Sequence, residues 1–173
     1  MTSKSIPKKA AHAATPKTDA IKLLTADHAE VHALFKKYSA LCQAGAEGEA
    51  RQPLAEQICL LLTVHATIEE EIFYPEARDA GVDAALLDEA EVEHGSVQDL
   101  ITQIRGMEPD DELYDAKVKV LGEYIDHHVK EEQDQMFPKC AKSEMDLKAI
   151  GAQMAARKTE LMAEMTEGME VMQ

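Results

Sequence analysis

Apolar residues recur every three or four positions along most of this chain, which is the spacing at which one face of an α-helix meets a core. We predict an all-α protein with five helices, over about residues 18–43, 48–74, 82–104, 112–137 and 145–167. Thr18 is a suitable capping residue for the first helix. Pro75 marks the end of the second helix or a kink in it, and Pro138 ends the fourth, because proline lacks the N–H that a helix interior requires.

One sequence motif occurs in both the second and the fourth predicted helix. HATIEEEIFYP begins at His65 and HVKEEQDQMFP begins at His128, and each has a glutamate four residues after its histidine. Four residues make about one helical turn, so Glu69 lies beside His65 and Glu132 lies beside His128. The neighbouring positions on the same faces are apolar. Both polar pairs are therefore predicted to point into the core.

The repeat also extends upstream of each motif. DHAEVHAL, which contains His28, precedes the first motif, and EHGSVQDL, which contains His94, precedes the second. The two histidines of each copy are 37 residues apart (28 to 65) and 34 residues apart (94 to 128), so each interval fits one helical hairpin. Two such hairpins, related by a pseudo-twofold axis, predict an up-down four-helix bundle with a fifth helix at the C-terminus.

Composition divides the chain into regions and limits its partners. We predict a disordered basic tail over residues 1–17, the bundle over 18–140, and an amphipathic helix packed on the bundle within 141–173. A net charge of −15 argues against nucleic acid and anionic membrane as partners. No apolar run approaches the ~20 residues of a membrane span. Three cysteines without a CxxC pattern favour reduced thiols and a cytoplasmic protein. The oligomeric state stays open, and a monomer is compatible with the sequence.

The buried histidines and glutamates need partners, because burying an ionised carboxylate costs several kcal/mol even after relaxation. The two carboxylates and the histidines could pair with one another, but neutral imidazoles satisfy only part of that demand. Metal cations satisfy it better. Imidazole and carboxylate without thiolate suit iron, manganese or zinc. Six groups related by a pseudo-twofold axis favour two ions over one closed structural zinc.

The order of these residues resembles that of a known family. The matching positions are His28, then His65-x-x-x-Glu69, then His94, then His128-x-x-x-Glu132. Over about residues 18–140 this order is similar to the haemerythrin-like (HHE) domain. The resemblance implies a non-haem centre of two iron ions with an oxo or hydroxo bridge, and with both glutamates bridging the ions. It fits better than the ferritin-like pattern, because Glu-x-x-His occurs here only once.

The resemblance implies a small ligand but leaves the role open. Haemerythrin binds O2 reversibly at the iron that has an open position, and we favour a similar binding protein for O2 or NO over an enzyme. The alternatives are an enzyme that turns over peroxide or nitric oxide, an iron reservoir, and a protein for iron–sulfur repair. The repair proteins also carry an N-terminal cysteine-containing domain, and nothing in this sequence resembles one.

The chain departs from haemerythrin in the place of one histidine. Haemerythrin has a His-x-x-x-His pair on its third helix, where this chain has Gln98, and the pair occurs instead on the first helix as His28-x-x-x-His32. His32 is either a further iron ligand or a histidine outside the ligand set. If it is a ligand, the open position falls on the iron held by His94 and His128.

Two residues near His128 are also of interest. Tyr124 lies one turn before His128, and we expect its side chain on the inward face, where the hydroxyl could reach a ligand on the iron. His127 lies about 100° around the helix from His128, so we expect it to face a neighbouring helix or solvent.

Overall fold

The computed structural model describes residues 18–171, and the side chains of residues 18–168. Its α-helices are α1 (Ala20–Gln43), α2 (Gly48–Ile68), α3 (Tyr74–Asp79), α4 (Ala84–Arg105), α5 (Tyr114–Glu131), α6 (Phe137–Lys142) and α7 (Leu147–Val171). The predicted disordered tail at residues 1–17 lies outside the described residues. No strand occurs in the described part of the chain, and the all-α prediction is confirmed.

Four long helical rods form the bundle: α1, α2 continued by α3, α4, and α5 continued by α6. Helix α1 packs against α2 and α4 packs against α5, while contacts of α1 with α5 and of α2 with α4 join the two hairpins. Helix α7 lies across α1 and α2. The architecture is therefore the predicted four-helix bundle with a C-terminal fifth helix. Among the described helices, none combines the length and the apolar character that crossing a membrane would require.

The two motif prolines do not end their helices, contrary to the prediction for Pro138. Short π-helical segments, Glu69–Phe73 and Glu132–Met136, join α2 to α3 and α5 to α6. The N–H of Tyr74 donates to the carbonyl of Glu69, and the N–H of Phe137 donates to that of Glu132. Such a widened turn shifts the hydrogen-bond register, so a proline that follows it is tolerated and the rod continues. Both π segments begin at a motif glutamate.

Two apolar clusters fill the bundle, one on each side of the polar motif residues. On α1, Leu24 belongs to the cluster that α7 covers and Val31 belongs to the other, with His28 between them. On α4, Ala90 belongs to the cluster that α7 covers and Val97 belongs to the other, with His94 between them. The buried polar groups therefore form a layer across the middle of an otherwise apolar interior.

Helix α7 approaches the start of α1 closely enough to require a glycine. A Cβ atom added at Gly151 would lie 2.7 Å from the backbone nitrogen of Ala20 and 2.7 Å from the carbonyl carbon of Asp19. Two ion pairs further along α7 fasten it to the bundle. Arg157 contacts Glu71 with two nitrogens, and Lys158 contacts Asp27.

We expect Gly151→Ala to destabilise the protein, because rigid backbone atoms cannot move aside for the new methyl group. The loss in the free energy of unfolding should be about 1–3 kcal/mol, measured by urea denaturation followed by circular dichroism. Gly168→Ala is the matched control on the same helix, since no atom lies within 4 Å of its added Cβ. It should be neutral or stabilising by up to about 1 kcal/mol. Equal stability of the two variants would contradict the close crossing.

Candidate metal centre

Six of the seven residues predicted to bind metal converge in the polar layer. They are His28 on α1, His65 on α2, Glu69 in the first π segment, His94 on α4, His128 on α5 and Glu132 in the second π segment. All six side chains are buried. Because each comes from a different segment, only the folded bundle brings them together.

Four of these residues form what we call the first donor group: His28, His65, Glu69 and Glu132. The Nε2 atoms of His28 and His65 lie 3.2 Å apart. Glu69 Oε1 lies 3.0 Å from His65 Nε2, and Glu132 Oε2 lies 3.2 Å from His28 Nε2. Two imidazole nitrogens and two carboxylate oxygens thus face one another, within 4.8 Å, in a region that one cation could occupy.

The second donor group consists of Glu69, His94 and His128. The two Nε2 atoms lie 3.2 Å apart, and that of His94 lies 3.1 Å from Glu69 Oε2. Glu132 Oε1 is more distant, at 3.6 Å from His128 Nε2. Each glutamate therefore turns one oxygen towards each donor group.

Each of the four buried histidines has a polar partner at its second ring nitrogen. His65 Nδ1 lies 3.2 Å from Asp27, His128 Nδ1 2.6 Å from Glu93, His94 Nδ1 2.8 Å from Glu70, and His28 Nδ1 3.3 Å from Gln133. The partners follow the sequence repeat. Two of them directly precede a histidine of the cluster and two directly follow a glutamate of the cluster, and each contacts a histidine on a different helix. These contacts orient every Nε2 atom into the cluster, as the outer contacts of metal-binding histidines do.

Protons balance the charge of the cluster when no cation is present. Burial acts to lower the pKa of His65, but the charge of Glu69 and the hydrogen bond with Asp27 outweigh it and raise that pKa to about 10. His128 behaves similarly, with burial opposed chiefly by the charge of Glu132, and its pKa rises to about 9. Burial acts to raise the pKa of Glu69, whereas His65 and His94 hold it well below its usual range. A cation could replace these protons, because metal ions compete with protons for imidazole.

The carboxylate oxygens of the first donor group supply the test of whether a metal fits. Glu69 Oε1 and Glu132 Oε2 are fully buried and have no hydrogen-bond partner in the described structure. Each lies close to an imidazole Nε2 atom without forming a hydrogen bond to it. A buried carboxylate oxygen without a partner is costly, and a metal ion satisfies it. The residues present therefore fit a cation.

Tyr74 belongs to the site and was missed by the sequence analysis. Its buried hydroxyl lies 2.7 Å from Glu132 Oε1, 3.1 Å from Glu69 Oε2 and 3.3 Å from His94 Nε2. Burial and then the charges of the two glutamates raise the pKa of Tyr74 well above its usual value. A signal was available: Tyr74 aligns with Phe137 in the repeat, so one copy carries a hydroxyl that the other lacks.

The structure does not bring His32 to the other histidines. Its side chain is 53% exposed, and its Nδ1 atom lies 3.4 Å from Asp126. A step of four residues advances about 40° around a helix, and His28 already lies at the edge of the buried face of α1. Gln98, the counterpart of His32 in the second copy, is also exposed.

The prediction for Tyr124 was wrong, because its side chain is 48% exposed. The inward positions of α5 around it are instead Leu121, Ile125 and His128. His127 is exposed as expected, and its Nε2 atom lies 3.4 Å from Glu93.

We expect the metal-free protein to lose stability as the pH rises from about 6.5 to about 10. The folded-state pKa of His65 is raised from 6.5 to about 10, so its contribution is fully present below the lower value and is lost as the pH rises through the upper one. Urea midpoints of chelator-treated protein at pH 6, 8 and 10 measure this. His65→Gln should flatten the dependence, and the exposed control His127→Gln should keep it. A midpoint that rises with pH would contradict the assignment.

Known proteins bear out the family that the sequence suggested. Residues 19–140 match the family model described as Hemerythrin HHE cation binding domain. A similar solved structure is the crystal structure of the Hemerythrin HHE cation binding domain-containing protein that is the Rv2633c homolog from Mycobacterium kansasii. It is 24% identical with a TM-score of 0.71, over 85% of this chain and 89% of that one, and shows a shared fold. No curated protein matches the chain. Since the family model covers most of its length, the chain belongs to the Hemerythrin HHE cation-binding domain family.

Proposed function

We propose that this protein holds two iron ions and binds O2, or another small diatomic ligand such as NO, reversibly at one of them. Its role would be the storage, delivery or sensing of that ligand. One observation carries the proposal. Two carboxylates, Glu69 and Glu132, are buried between two pairs of imidazoles, and each has one oxygen without a hydrogen-bond partner in the described structure.

The residues divide between the two ions by their distances. His28 and His65 would hold one ion, His94 and His128 would hold the other, and the two glutamates, Glu69 and Glu132, would span both, since each turns one oxygen to each side. We leave the exposed His32 out of this ligand set. A pair of iron ions supplies a redox-active centre for small ligands when bound.

The chemistry of the donors supports iron. Imidazole and carboxylate ligands suit iron, manganese and zinc, whereas thiolates would favour zinc or an iron–sulfur cluster. Among the described residues, no group of potential metal ligands includes a cysteine. Membership in a hemerythrin family then favours iron over the other two metals.

The surroundings of the two donor groups differ and favour the first for the ligand. The Phe137 ring stacks on His28, with ring centroids 5.9 Å apart and an interplanar angle of 3°. In the other copy, Tyr74 lies near His94 and adds a hydroxyl oxygen to the second donor group. That oxygen is a further donor beside the second ion, while the first ion meets an apolar wall. We therefore propose the open position on the side of His28 and His65, opposite to the expectation drawn from His32.

A second candidate function is the turnover of peroxide by the same centre. The observation that favours it is the Tyr74 hydroxyl, which contacts both bridging glutamates and can hold or donate a proton within hydrogen-bond distance of the cluster. Enzymatic turnover of peroxide needs such proton transfers. Reversible binding of O2 does not need net proton transfer, so the two functions make different demands on this residue.

Metal analysis tests the ligand set. Purified protein should contain about two iron ions per chain. His65→Ala and His128→Ala should each lose metal and lower the melting temperature, because each removes an imidazole from one donor group. His32→Ala and His127→Ala remove exposed histidines and should keep the full metal content. Unchanged iron in the first two variants, or its loss in the last two, would overturn the assignment.

Exposure of the reduced protein to air tests the function. A reversible binder should give a new visible absorption on addition of O2 that disappears under vacuum, over repeated cycles. An enzyme should instead oxidise irreversibly and consume added peroxide catalytically. Tyr74→Phe separates the two further: peroxide consumption should fall about 100-fold or more if the hydroxyl transfers the proton. Cycles of O2 binding should persist in the same variant.

A further inference from the structure

The outer contacts of the two donor groups carry different charges. In the second group, His94 Nδ1 lies 2.8 Å from the Glu70 carboxylate and His128 Nδ1 lies 2.6 Å from the Glu93 carboxylate. In the first group, the residue equivalent to Glu70 is Gln133, whose neutral amide lies 3.3 Å from His28 Nδ1. The repeat thus gives two anions to one side and a single anion, Asp27, to the other.

A residue of α7 also compensates this single anion. Lys158 Nζ lies 2.5 Å from Asp27 Oδ1, while the other oxygen, Oδ2, lies 3.2 Å from His65 Nδ1. Asp27 is buried, and Lys158 is about one-quarter exposed, so the pair is only partly screened by solvent. The outer charges of the first donor group therefore sum to zero. Those of the second sum to −2 when His127, the exposed imidazole 3.4 Å from Glu93, is neutral, since no Lys or Arg contacts Glu70 or Glu93 within the described structure.

A carboxylate that accepts a hydrogen bond from Nδ1 makes the imidazole a stronger donor through Nε2, and it also attracts the cation directly. A neutral amide has no charge to attract the cation, and the atom of Gln133 that faces His28 Nδ1 is its nitrogen, which donates and cannot accept. A carboxylate shared with an ammonium group does so less than a free one. Both differences, Glu70 against Gln133 and Glu93 without a Lys or Arg partner against Asp27 with Lys158, act in the same direction.

We propose that the two metal positions differ in affinity, that the second donor group binds its ion more tightly, and that Lys158 of α7 keeps the first position weak. The inference rests on the proposed binding of two ions. It also gives the fifth helix a chemical role. Lys158 lies outside residues 19–140, so this influence is not part of the region that matches the family model.

A purely structural role for Lys158 is the competing explanation, and its neighbour provides the control. Arg157 joins the same helix to Glu71 with two contacts, at 2.8 and 3.2 Å. Neither Arg157 nor Glu71 contacts a histidine of the cluster. If α7 acts only as a cover, the loss of Arg157 should affect the metals at least as much as the loss of Lys158. If charge is the cause, only Lys158 matters.

The experiment is a titration of the metal-free full chain with Co2+ against a competing chelator, followed by visible absorption. The wild type should bind in two steps, separated by about tenfold or more in affinity. His65→Ala should remove the weaker step and His94→Ala the tighter one. Gln133→Glu should tighten the weaker step about tenfold, and Glu70→Gln should weaken the tighter step about tenfold. Lys158→Met should tighten the weaker step about threefold to tenfold.

The controls separate the possible failures. Arg157→Met and Lys158→Arg should leave both steps as in the wild type. Gln133 is exposed, so Gln133→Glu still tests the idea if Lys158→Met does not fold. Two ions bound with equal affinity, or a weaker step that responds neither to Gln133→Glu nor to Lys158→Met, would overturn this inference while leaving the two-ion site intact. A wild type that binds no metal would instead overturn the proposed function.

Discussion

The burial of two carboxylates governs the rest of this structure. Glu69 and Glu132 lie in the middle of a helical bundle whose interior is otherwise apolar, and their charge requires compensation there. Four imidazoles surround them, and protons on His65 and His128 offset that charge in the absence of a cation. Stability and metal affinity therefore depend on the same few groups. Any cation that binds must displace protons that help to hold the bundle together.

The backbone is adapted to these two residues. Both glutamates begin a π segment, and the carbonyl of each accepts a hydrogen bond from the residue five positions later. The widened turn changes the direction of the side chains that follow, and Tyr74 and Phe137 both point into the bundle, where they belong to the apolar cluster that α7 covers. The proline after each segment fits there because the ordinary helical hydrogen bond is already interrupted. The π segments thus occur at the two positions where the buried carboxylates enter the bundle.

The sequence predicted the parts of the molecule that follow from periodicity and repetition. Helical spacing gave the five rods, and the doubled His-x-x-x-Glu motif gave the six residues that converge. It failed where a small rotation or a distant contact decides the outcome. His32 on α1 and Tyr124 on α5 each lie close to residues that point inward, but at or beyond the edge of the buried face of their helix. Residue spacing alone does not tell which positions at that edge are buried. Lys158 contacts a residue 131 positions away, which no local pattern reveals.

Departures from the internal repeat are where the two halves of the site acquire different properties. Tyr74 replaces the phenyl group of Phe137 by a phenol, and Glu70 replaces the amide of Gln133 by a carboxylate. Both differences add oxygen or negative charge to the side of His94 and His128. Lys158 increases the difference between the two sides, because it compensates the charge of Asp27 beside His65. A symmetric pair of ions would gain nothing from such differences. In the proposed function these differences would leave one ion firmly held and the other less saturated and beside the apolar wall of Phe137, where a small ligand could bind.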